Sequence, residues 1–96
     1  MSGARFPETG VAVLDHEILA EKAVALGRAG ERAEVCLQKL RAHEARDEAR
    51  RKLLKDAADA VYAYFIQREL CGFRRHDGVI REMRIPGEVI VRLGAV

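Results

Sequence analysis

From about Asp47 to Cys71 the residues Leu53, Leu54, Ala57, Ala58, Val61, Tyr64, Phe65 and Leu70 recur mostly at three- and four-residue intervals. That spacing places them on one face of an α-helix and fits no strand, whose faces alternate every second residue. Gly72 stands where a helix-ending glycine belongs. A helix this long is the spine around which the other segments must pack.

Upstream, Val11, Leu14, Ile18, Ala25 and Leu26 form a second helical arc that starts at about Thr9, with Glu17 and Glu21 outside its centre. The sequence Gly27-Arg28-Ala29-Gly30 is expected to reverse the chain, because glycine supplies backbone freedom that other residues lack. A further helix then begins near Glu31, with Ala33, Cys36, Leu37 and Leu40 on a narrow arc. Between Arg41 and Lys52 there is no large apolar side chain, so the stretch cannot be core. A break around Ala45 to Asp47 is expected, with Asp47 capping the spine helix. An unbroken helix from Glu31 to Cys71 would extend on the order of 60 Å and imply a partner chain to cover it.

The last stretch offers two readings. Val79, Ile80 and Met83 suggest a short helix from His76 or Asp77, and Pro86-Gly87-Glu88 resembles a helix start with proline at its first position. Val89-Ile90-Val91 would suit a strand, but its only candidate partner is the brief Val11-Ala12-Val13 run, and an unpaired strand leaves backbone groups unsatisfied. A short helix is therefore expected. The fold class is all-α: a small bundle of three main helices plus one or two short C-terminal helices. Residues 1–8 are expected to form a flexible tail and residues 9–96 a single helical domain.

Composition narrows the function. The chain has 96 residues, 49% of them hydrophobic but only five aromatic, so its one core is thin and built mainly of aliphatic side chains. A net charge of +2 gives no reason to expect nucleic-acid or membrane binding from composition alone. The balance is uneven along the chain: residues 39–55 hold seven Lys/Arg against three acids. Asp15, Glu17, Glu21 and Lys22 interrupt any signal peptide or membrane span near the start, so the expected location is cytoplasmic. Cys36 and Cys71 lie far apart and form no CxxC, which argues against a zinc site or a disulfide framework.

Four residues are candidates for contact with an anion or a partner: Arg68, Arg74, Arg75 and His76. Arg68 falls near the middle of the spine helix's apolar arc, which a guanidinium occupies only for a reason: an anion or carboxylate to bind, an internal ion pair, or escape of the side chain to water. Arg74, Arg75 and His76 follow the helix end, where cations also complement the helix dipole without any ligand. The loop lacks the spacing of a phosphate cradle. His43 and Asp47 have metal-compatible i, i+4 spacing but are too few for zinc. No nucleophile with an adjacent base can be drawn, so no catalytic, cofactor-binding or metal residue is assigned and an enzyme is not expected.

The run Phe65-Ile66-Gln67-Arg68-Glu69-Leu70-Cys71-Gly72-Phe73-Arg74, with His76, Val79-Ile80 and the later Ile85-Pro86-x-Glu88-Val89-x-x-Arg92-Leu93-Gly94, resembles a family of small uncharacterised bacterial helical proteins, a domain of unknown function. The resemblance covers about the last third of the chain. It implies a bacterial, helix-rich protein with a helix starting at Pro86, and Gly87 departs from what such a helix prefers. It implies no activity or functional residue. The expected function is that of a small helical interaction or structural protein, a homo-oligomer such as a dimer or one docked on a protein partner, since a thin core gains from association. The alternative is a nucleic-acid-binding regulator, with Asp77 to Leu93 drawn as helix, turn, helix and Arg74, Arg75, Arg81, Arg84 and Arg92 facing phosphates. Interspersed acids and a poor recognition helix disfavour it.

Overall fold

The computed structural model describes the backbone of residues 2–95 and the side chains of residues 13–95. Four helices follow in order: α1, Ser2–Ala42; α2, Glu48–Leu70; α3, Asp77–Glu82; α4, Gly87–Ile90. No strand occurs among the described residues, so the all-α class holds. The expectation of a tail over residues 1–8 falls where the side chains are not described.

The break before Asp47 forms as expected. Asp47 has extended backbone geometry and its carboxylate accepts the backbone N–H of Arg50 at 3.0 Å, which satisfies one of the unpaired donors at the start of α2. The His43 ring lies 2.7 Å from the same oxygen, across the reversal. At the other end Gly72 takes φ +97° and Phe73 N–H reaches back to the Arg68 carbonyl at 2.9 Å. These contacts are the capping that the glycine permits.

The reversal expected at Gly27 to Gly30 does not exist: α1 runs through both glycines as a single helix of 41 residues. The bundle therefore has two long helices where three were expected. Glycine allows a turn without imposing one, and it weakens a helix by only about 1 kcal/mol. Gly30 also has a packing reason to be there. A Cβ at Gly30 would stand 3.1 Å from the Tyr64 ring, so its absence lets that ring lie against α1. Gly27 has open space around it.

α1 and α2 pack as a hairpin, and the C-terminal segment lies against them. The core holds Ala33, Leu37 and Leu40 from α1, Leu54, Ala57, Ala58, Ala60, Val61 and Phe65 from α2, and Ile85 and Val89 from the C-terminal segment. The α1 residues in that set belong to the arc expected after Glu31. Leu14 and Ile18, expected to share the core, are exposed, as is Leu70 at the end of α2.

α3 starts at Asp77, as expected. It ends with Arg84 in the left-handed region at φ +53°, and Ile85 N–H bonds the Ile80 carbonyl at 3.0 Å. Pro86 flanks α4 rather than opening it, one residue off the expected helix start, and Val89 N–H bonds the Pro86 carbonyl at 3.0 Å. The helical reading of the Val89-Ile90-Val91 run prevails because Val89 fills the core from a single turn.

Two outcomes test this account. Gly27→Ala should raise stability by roughly 0.5–1 kcal/mol in urea denaturation, the helix-propensity difference, whereas Gly30→Ala should gain less or lose, because Tyr64 must shift. Equal gains would contradict the close Gly30–Tyr64 approach. The hydrogen bond to His43, and after it that from Arg50 N–H, holds the Asp47 carboxyl below its ordinary value of 3.8. Its stabilising effect is therefore full above that value and is lost as pH falls through the lowered one. Asp47→Asn should unfold at lower temperature than the native chain at neutral pH, with the difference closing as pH falls through the lowered value.

Candidate functional site

The end of α2 gathers three of the four expected residues. Arg68 Nε donates to His76 Nδ1 at 3.1 Å, and a second guanidinium nitrogen donates to the Arg75 carbonyl at 3.0 Å. The guanidinium lies 4.9 Å from the centroid of the Phe73 ring and 5.9 Å from that of Tyr64. His76 stacks on Phe65 with centroids 4.2 Å apart, and its Nε2 lies 2.9 Å from the Glu69 carboxylate. Arginine has no acceptor, so Nδ1 must be the unprotonated nitrogen and Nε2 must donate to Glu69. The position of Arg68 on the apolar arc thus has a local reason: it ties the loop after α2 back to the helix.

Arg74 is exposed and forms no ion pair among the described residues, while the Arg75 guanidinium lies 3.4 Å from Asp77 in full solvent. With Arg68 engaged internally, Arg74 and Arg75 are the cations of this group that face water.

A second cluster escaped the sequence reading. Arg50, whose side chain is 15% exposed, forms an ion pair with Glu88, joining the first turn of α2 to α4. Arg92 donates to the Glu88 carbonyl at 2.8 Å. Arg46, Asp47, Arg51 and Leu54 complete the wall of a hollow of about 200 Å³. The partners are 38 residues apart, beyond the reach of local spacing. Over Asp77 to Leu93, drawn as helix, turn, helix, the two short helices α3 and α4 form. α4 has four residues, Val89 is buried and Glu88 is engaged by Arg50.

The largest uncovered feature is α1 itself. Cys71 Sγ lies 3.9 Å from the Lys22 carbonyl, which marks the level where α2 ends beside α1. Toward its N-terminus α1 continues alone, and the molecule measures 67 × 25 × 20 Å. Val13, Leu14, Ile18, Leu19 and Val24 are 50–62% exposed on this part, and Val35 is 44% exposed farther along. Where α1 leaves the bundle, Leu19, Ala23 and Leu26 meet Leu70 and Phe73 in an apolar groove. The sequence did mark Leu14 and Ile18 as an apolar arc. Helical spacing reports that a face is apolar, but it does not report which chain covers it.

These features define a class of protein: an all-α helical hairpin whose longer helix extends bare and partly apolar beyond the shorter one. The chain belongs to a family described as a family of unknown function, DUF6665, whose model matches residues 2–96. The match is thus to nearly the whole chain, not to its last third alone. No curated protein and no solved structure matches the chain.

The Arg68 cluster predicts a measurable loss. Arg68→Leu should destabilise the fold by about 1.5 kcal/mol, the lower end of what hydrogen bonds from a charged group contribute, and speed amide exchange at residues 73–76. Unchanged stability would mean that the loop is held by other contacts.

Proposed function

We propose that this chain is a cytoplasmic bacterial interaction protein that acts by presenting the uncovered part of α1 to another protein, and not by catalysis or through a cofactor. The observation that carries the reading is the set of exposed aliphatic side chains on α1 from Val13 to Val24. Isolated exposed hydrophobics are ordinary, but a run of them along one helix rarely stays in water without a role. No helix among the described residues is long and apolar enough to cross a membrane. Cys36 and Cys71 are both free thiols, which suits a reducing compartment.

The test is affinity capture of the tagged chain from its native cells, with and without nuclease, beside an Ile18→Glu/Leu19→Glu variant. A protein recovered in stoichiometric amount with the native chain, kept after nuclease and lost with the variant, is the expected result. Recovery that depends on nucleic acid would overturn the reading and favour a regulator instead. Equal recovery by the variant would move the contact away from α1.

A further inference from the structure

One face of α1 carries a charge order that a single chain leaves unanswered. At about 100° per residue, Leu14, Glu17, Glu21, Val24, Ala25, Arg28, Arg32 and Val35 fall within an arc of about 100°, on the side of the helix away from the buried Ala33, Leu37 and Leu40. Both acids lie in its N-terminal half and both arginines in its C-terminal half. Glu17 and Glu21 are neighbours at i, i+4, as are Arg28 and Arg32, so each like-charged pair opposes the helix. None of the four takes part in an ion pair among the described residues.

We infer that this face pairs with the same face of a second copy, antiparallel, about a two-fold axis between Val24 and Ala25. Resting on the interaction reading above, the inference names the partner. In that register Glu21 meets Arg28 of the copy and Glu17 meets Arg32, and each pair occurs twice by symmetry. Leu14 meets Val35 at both ends, while Val24 and Ala25 meet at the centre, where small side chains let two helices approach closely. A parallel pairing would set acid on acid and arginine on arginine. The arrangement is self-complementary and closed, as a two-fold interface requires.

The surface area leaves room for it. The chain exposes 7261 Å², against about 5,500 Å² for a compact monomer of its mass. That surplus exceeds the roughly 800 Å² that one partner contributes to a standard interface. The face lies away from α2 and the C-terminal segment, so a second copy meets it without displacing either.

The experiment is sedimentation equilibrium of the purified full-length chain at low and high salt, with Glu21→Arg, Arg28→Glu and the double exchange. The native chain should sediment as a dimer of about 21 kDa, twice its 10.7 kDa, with a dissociation constant that rises with salt. Each single exchange sets two pairs of like charges across the axis and should weaken the dimer tenfold or more. Within its own chain the same exchange removes a like-charged i, i+4 pair, so helix content by circular dichroism should hold or rise. The double exchange should restore dimerisation to within a few-fold of native. A native chain that remains monomeric at 100 micromolar, or a dimer indifferent to both single exchanges, overturns the inference. A monomer that still captures another protein through α1 defeats self-pairing alone. A monomer that captures nothing defeats the interaction reading with it.

Discussion

The contact between α1 and α2 is made largely through small side chains, with Gly30, Ala33, Ala57, Ala58 and Ala60 among the residues where the two helices and the C-terminal segment meet. Close approach is how a chain with few aromatics gains density in so thin a core. The large residues then occupy particular places. Tyr64 lies over Gly30, Phe65 receives the His76 ring, and Tyr62 packs beside Gly94, where a Cβ would come within 3.2 Å of its ring. Polar contacts close the periphery: Asp47 fixes where α2 begins, Arg50 and Glu88 hold α4 to that beginning, and Arg68 holds the loop at the other end.

α2 was readable because its signals are local and agree with one another. Its apolar spacing, an aspartate before it and a glycine after it all describe the same helix, and the structure adds only the partners. α1 was misread at Gly27 and Gly30 because a glycine pair carries the same local signal whether it turns the chain or admits a neighbour. The neighbour, Tyr64, is 34 positions away and lies outside any local window. The site residues divide in the same way. That Arg68 needed a reason was legible from its place on the arc, and that His76 was part of the reason required the turn at Gly72 to be folded. Arg50 and Glu88 gave no sequence signal, since a charge near a helix start and a charge after a proline are both ordinary on a surface.

The division of labour along α1 follows from the unequal lengths of the two long helices. Where α2 lies beside it, from about Lys22 onward, α1 carries the core. Before that level none of the described residues, Val13 to Glu21, is buried, yet they include aliphatic side chains that a purely solvated helix does not need. Its outward face continues past that level as far as Val35, so bundle and projection share one exposed surface.

α2 ends where α1 still has far to run, and this leaves a single helix divided between two regimes of stability. The turns from Leu26 to Leu40 open only when the core opens, so their amides report global unfolding. The turns from Val13 to Glu21 are exposed, touch the rest of the chain at the groove where Leu19 faces Leu70 and Phe73, and depend chiefly on intrinsic helix formation, which is marginal in water for a segment of this size. A second surface laid along α1 would therefore do two things at once, covering apolar area and ordering backbone. Part of its binding energy would go into that ordering, so the contact would be weaker than its area suggests and sensitive to any residue that shifts the helix–coil balance of a stretch remote from the core.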